Sequence, residues 1–199
     1  WKSAFVTSSD ILVFIDADLT EWGTHFVTGL VGPMLADPRV LLAKGFYDRV
    51  LDMGTGVSTE GGRVTELVAR PWLALHRPEL SAVVQPLAGE WTIRRSLFEQ
   101  LSIPVGYGIE IATLLDTHAR HGLDAIVQVD LGRRAHTHQN LHDLGAMATE
   151  LLAVADRRRG AAVADSVHLA QLTREREWSE RDVATLERPA AASVAEAPR

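Results

Sequence analysis

The run Ile11-Leu-Val-Phe-Ile15 is five consecutive apolar residues, β-branched or aromatic except at Leu12, and it predicts a strand buried on both faces. Phe26, Leu30, Val31 and Met34 then recur at helical spacing and predict a helix that ends at Asp37-Pro38, with Pro33 kinking it. Val40 to Phe46 is the next apolar run, so residues 10–46 read as a βαβ unit with a right-handed crossover. Residues 53–62, rich in Gly, Ser and Thr, read as a flexible loop. Leu67, Val68, Trp72 and Leu75 predict one shared face on a helix from about Arg63 to Leu75, bent by Pro71.

Ser81 to Gln85 reads as a short strand and Arg95 to Leu101 as a helix. Ile111, Leu114, Leu115 and His118 predict the core face of a helix that Gly122 closes. Asp124 to Leu131 reads as a strand and Leu141 to Arg159 as a helix. Beyond that the pattern weakens. Val163, Val167 and Ala170 form a faint helical stripe within residues 161–187, and the Ala/Pro-rich residues 188–199 read as disordered. The elements together predict an α/β domain over residues 1–160, followed by a helical extension and tail over residues 161–199.

Candidate chemistry gathers where the strands run out. Asp16 and Asp18 follow the first strand as an Asp-x-Asp, and ligands of open α/β sheets collect at such carboxyl ends. Two readings stand: hard oxygen ligands for Mg²⁺ or Mn²⁺, or surface aspartates capping the next segment. Gly62 before Arg63, Val64 and Thr65 offers an anion site at a helix start, or a plain exposed helix end. Gly89-Glu90 permits close backbone approach of a ligand, or makes a turn. Glu110 falls in a first helical turn, where the dipole favours a carboxylate in any case. Arg133, Arg134, His136 and His138 leave the strand before the last helix, and one of these histidines can complete a site begun by the aspartates.

Composition narrows the partners. The chain has 199 residues, 46% hydrophobic and 23% charged, which suits one globular domain. A net charge of −6, with Arg157-Arg158-Arg159 the lone basic run, argues against nucleic acid. There are no cysteines, which rules out a disulfide framework or thiolate chemistry within this chain, and no apolar run approaches the ~20 residues that span a bilayer. A cytoplasmic protein is the expectation. The chain opens at Trp1 and enters a core strand within about ten residues, so a fragment is expected.

Taken in order, Asp16-Ala-Asp18, Gly62-Arg-Val-Thr-Glu-Leu67, Gln85-Pro-Leu-Ala-Gly-Glu90, Gly106-Tyr-Gly-Ile-Glu-Ile111 and the stretch from Gly122 through Arg134 to His136 resemble glucosyl-3-phosphoglycerate synthase. The resemblance covers residues 9–159. It implies the GT-A (Rossmann-like) fold of a retaining glycosyltransferase, here without its N-terminal nucleotide-binding part, and transfer of glucose from UDP-glucose to the 2-hydroxyl of 3-phosphoglycerate. By resemblance Asp16, Asp18 and His136 hold the divalent ion. Asp16, Gly89, Glu90, Glu110 and Arg134 meet the donor, Gly62, Arg63, Val64 and Thr65 hold the acceptor, and Glu110 and Arg134 are the catalytic pair. A homodimer is also implied. Ala135 and His138 depart from the acidic or amide residues expected there. Two enzyme alternatives remain, a GT-A transferase with another sugar nucleotide or glycerate acceptor, and a hydrolase built on His136, His138, His142 and Asp143. An inactive interaction module is the reading from a different class.

Overall fold

β1 (Ile11–Phe14) and β2 (Leu42–Asp52) run parallel but do not touch, because β4 (Trp91–Arg94) lies between them and is antiparallel to both. β6 (Ile126–Ala135) pairs in parallel with β2 on its other side, and β3 (Val57–Ser58) folds back onto the end of β2. The computed structural model describes residues 1–17, 19, 23–52, 57–58, 62–135 and 140–195, with 49–52, 57, 58, 134, 135 and 195 described through the backbone alone. The expected βαβ unit is therefore present with one strand inserted into it.

Side-chain alternation along these strands builds two layers. Leu12, Leu42, Trp91 and Ile93 face the main core, where they meet Trp72 and Leu73 of α2 (Arg70–His76), Phe98 of α3 (Arg95–Phe98), Ile111 and Leu114 of α4 (Ile109–His121) and Val154 of α5 (Leu141–Arg157). Phe14 stacks on Trp91 at 4.1 Å between ring centroids. Opposite pleats carry Tyr47, Leu131 and Ala43 toward Phe26, Leu30 and Met34 of α1 (Thr24–Ala36). The α1 stripe is as its spacing predicts. Among the described residues no helix is long and apolar enough to cross a membrane.

Four expectations fail for physical reasons. Ser81 to Gln85 is not a strand but part of a loop whose backbone groups are taken by side chains: Gln128 Oε1 accepts from the Val84 amide at 2.7 Å and Gln128 Nε2 donates to the Ala82 carbonyl at 3.2 Å. The helix from Arg63 opens with a widened turn at Thr65–Ala69, in which the Arg70 amide reaches back five residues to the Thr65 carbonyl. Pro71 follows and has no amide to donate, and its ring opposes a tight turn here. The extra residue rotates the downstream face by roughly 100°. Trp72 is buried as its spacing predicts and Leu73 joins it, while Leu67 and Leu75 stand 74% and 75% exposed.

The third and fourth failures lie after residue 160. The expected helical extension is a β-hairpin, β7 (Ser166–Leu172) and β8 (Trp178–Ala184), in register from Ser166↔Ala184 to Leu172↔Trp178. Its burial alternates with period two, the strand period, and Val183 is its buried anchor against α5. Nor is the tail without structure as far as residue 195: β9 (Glu187–Arg188) pairs with β5 (Ile103–Pro104), and α6 spans Ala191–Ala195. Arg158 carries this segment, donating to Asp116 at 2.8 Å and to Glu187 at 2.7 Å.

Candidate active site at the strand ends

Three strands align at one point. Phe14 and Lys44 are both opposite Trp91, so Asp16 beyond β1, Gly89 and Glu90 before β4, and Gly45 on β2 lie at a single edge of the sheet. The Gly45 amide donates to the Glu90 carbonyl at 2.8 Å. Gly45 tolerates no side chain there: a Cβ would sit 2.6 Å from a Leu131 methyl and 2.9 Å from the Glu90 carbonyl oxygen. Gly89 is glycine for a related reason, since a Cβ would collide with the carboxylate of Asp16. Asp16 is thus an exposed carboxylate laid over a bare backbone shelf.

Glu110 comes from the first turn of α4. The loop before it is gripped by α5: the Tyr107 amide donates to Glu150 at 2.6 Å, and a Cβ on Gly108 would come within 2.5 Å of Val154. Close packing of α4 on α5 therefore sets where Glu110 stands. Part of the residue reaches the surface, but its carboxyl lies in a poorly hydrated space, and burial pushes its pKa up to about 7 against the pull of Lys44.

Lys44 is the residue that sequence reasoning missed. It is 1% exposed, two residues into β2, and donates through Nζ to the Ala88 carbonyl at 2.8 Å. Burial lowers its pKa to about 8, while Glu110, Glu90 and Asp16 pull it the other way. Four ionisable groups from four separate elements thus act on one another at this edge. The signal was available, because a lysine inside the apolar run Val40–Phe46 has no reason to be there unless its charge is used.

Of the residues singled out from sequence, Asp16, Gly89, Glu90 and Glu110 meet here. Arg134 is at the far end of β6, its backbone paired with Arg49 of β2, which brings a second parallel strand's carboxyl end into play. Gly62, Arg63, Val64 and Thr65 form a separate helix start, with Arg63 exposed and Val64 and Thr65 buried. Asp18, His136 and His138 lie outside the described residues. Among the described residues no group of three or more His, Asp or Glu is arranged to hold a metal. Asp143, one member of the alternative hydrolase set, has its carboxylate engaged, accepting from Arg181 at 3.0 Å and from the side-chain amide of Asn140.

Of the residues expected to hold a divalent cation, Asp16 lies within the described residues, and its carboxylate oxygens, the hard ligands that Mg²⁺ and Mn²⁺ prefer, rest over a backbone shelf without a side chain.

No family model matches the chain. Among curated proteins it is 52% identical over 157 residues to glucosyl-3-phosphoglycerate synthase of Mycobacterium tuberculosis, a match covering 77% of this chain and 48% of that protein. It is 46% identical over 159 residues to the Petrotoga mobilis enzyme of the same name, covering 79% and 49%. The crystal structure of the M. tuberculosis synthase with Mn²⁺, UDP-glucose and phosphoglyceric acid superposes with a TM-score of 0.86 at 44% identity, over 98% of this chain and 64% of that one. The chain spans about half the length of the curated relatives it matches. It has a mixed α/β fold matching these GT-A structures, and it is a homologue of the glucosyl-3-phosphoglycerate synthases.

Proposed function

We propose that this chain is the metal- and acceptor-binding portion of an enzyme that transfers glucose from UDP-glucose to the 2-hydroxyl of 3-phosphoglycerate with retention at the anomeric carbon. The observation that carries the reading is the meeting of Asp16, Gly89, Glu90 and Glu110 at one strand-end corner, in a chain 52% identical to a synthase of that name. Residues 1–160 form the catalytic portion, and the hairpin and the residues after it as far as 195 brace it.

Asp16, with Asp18 and His136, would hold Mn²⁺ or Mg²⁺. When bound, such an ion neutralises the diphosphate as the glycosidic bond breaks. Gly89 leaves room for the donor over the shelf, and Arg134 adds a second positive charge beside the phosphates. Glu90 and Glu110 hold the glucose hydroxyls. With its pKa pushed up to about 7, the Glu110 carboxyl stands near half ionisation at neutral pH and can donate or accept a hydrogen bond there. Arg63 and the backbone amides of Gly62–Thr65 take the anionic acceptor.

Retention needs no covalent nucleophile here. The acceptor hydroxyl attacks from the face the diphosphate leaves, and the departing phosphate oxygen takes its proton, so Glu110 and Arg134 position and stabilise. The working enzyme is a cytoplasmic homodimer in this reading. Radiolabelled glucose transfer by the natural full-length chain tests it: product with Mn²⁺ or Mg²⁺, none with EDTA or with Asp16→Ala, supports the proposal. Hydrolysis of UDP-glucose without transfer to 3-phosphoglycerate, or no turnover at all, overturns it.

A further inference from the structure

The segment that carries Gly89 and Glu90 has no regular structure of its own between Ser81 and Gly89, yet it forms the shelf under Asp16. Hydrogen bonds with β2 and β6 hold it. Gln128 on β6 bonds both Ala82 and Val84, Gln85 Nε2 donates to the Tyr47 carbonyl at 2.6 Å, and the Gly45 amide takes the Glu90 carbonyl. Lys44 closes the series at the Ala88 carbonyl. Two consecutive residues of β2, Lys44 and Gly45, therefore pin the backbone on either side of Gly89.

Lys44 differs from the other pins in bearing charge. Asp16, Glu90 and Glu110 all act on it electrostatically, and three carboxylates drawn to one corner repel one another unless a cation stands among them. A fully buried lysine is costly to maintain. A neutral donor would serve to hold one carbonyl.

We propose that Lys44 is a positioning residue for the donor side of the site, a resident cation that holds the Ala88–Glu90 shelf against Asp16 and keeps Asp16, Glu90 and Glu110 gathered before metal and nucleotide arrive. The proposal rests on the glucosyltransferase reading above. It separates the two halves of the site, because the pinned segment belongs to the donor side and Arg63 starts a different helix.

The test is calorimetric titration of the natural full-length chain and its Lys44→Met variant with Mn²⁺–UDP and, separately, with 3-phosphoglycerate. Losing a buried charge-assisted hydrogen bond should weaken Mn²⁺–UDP binding by about tenfold or more, with 3-phosphoglycerate unchanged within about twofold. A folded variant that binds Mn²⁺–UDP like wild type overturns the proposal, as does a parallel loss of both ligands, which would make Lys44 part of the general scaffold. A second measurement needs no variant: the ¹⁵Nζ signal of Lys44, in lysine-labelled wild type, should move on addition of Mg²⁺–UDP and hold still on addition of 3-phosphoglycerate. A signal indifferent to bound Mg²⁺–UDP overturns the proposal even if Lys44→Met does not fold. Wild type that binds neither ligand overturns the parent reading and this proposal with it, whereas wild type that binds both, beside an unchanged variant, overturns this proposal alone.

Discussion

Lys44 near the start of β2 and Glu110 in the first turn of α4 share one poorly hydrated space, and each favours the charged form of the other while burial opposes both. Glu110 is held above its ordinary 4.5, at about 7, so the folded protein binds more protons than the unfolded chain between those values and stability from this group falls as pH rises through 7. Lys44 is held below its ordinary 10.5, at about 8, so its contribution is present above 10.5 and is lost as pH falls through 8. Between about pH 7 and 8 both contributions are at their least favourable. Glu110→Gln removes the first of them, and its melting temperature relative to wild type is expected to improve from pH 5 to pH 7.5 in ligand-free protein. Thermal denaturation at those two pH values checks this, and a difference that stays flat refutes it.

Gly89→Ala is expected to abolish the shelf without unfolding the domain. The new methyl lands on the Asp16 carboxylate, which lies at an exposed strand end and can swing away. Mn²⁺–UDP affinity should fall by about tenfold or more while the melting temperature changes little. Calorimetry and a melting curve on the same sample separate the two effects.

Much of this corner was legible in the sequence because its markers are local. Asp16 follows an unbroken apolar strand, Glu110 follows a glycine at a helix start, and α1, α4 and α5 show their periods plainly. β4 was not legible. Trp91-Thr-Ile-Arg94 is four residues long and owes its place to pairing on both edges, with β1 and with β2, which no window of sequence contains. The hairpin failed to read as strands because its apolar residues do not keep to one face: Ala170, Leu172 and Trp178 share the exposed face with His168, Glu180 and Asp182, while Gln171, Ser179 and Arg181 share the inner face with Val167 and Leu169, leaving Val183 as the one buried residue of the pair. Lys44 was visible as a letter but not as a member of the site, since the partners that make it one come from Ala88, Glu90 and Glu110, far along the chain.

The widened turn at Thr65–Ala69 makes a prediction about the helix that follows it. Trp72 is buried and donates from its indole to Asp156 at 3.1 Å, so Trp72→Ala should cost about 3–5 kcal/mol. Leu75→Gln, on the face that periodicity alone would have put inside, should stay within about 0.5 kcal/mol of wild type. Urea denaturation of the two variants decides it, and comparable losses would restore the unrotated face.

Arg158 joins α4 to the segment after the hairpin through Asp116 and Glu187, with the three side chains 10%, 20% and 11% exposed. Arg158→Met takes the paired cation from the partly buried Asp116 and leaves Glu187 with Arg157 at 3.5 Å, and should destabilise by about 2–4 kcal/mol. Urea denaturation is the readout, and a change below about 0.5 kcal/mol would show that the residues after the hairpin add little to the fold.

The measurement that bears most directly on the central claim is the stereochemistry of the product. UDP-glucose labelled with ¹³C at the anomeric carbon, incubated with the natural full-length chain, 3-phosphoglycerate and Mn²⁺, should give a single new anomeric signal of α configuration, coupled through oxygen to carbon 2 of the glycerate. A β-configured product, attachment elsewhere on the acceptor, or release of free glucose alone would contradict the account.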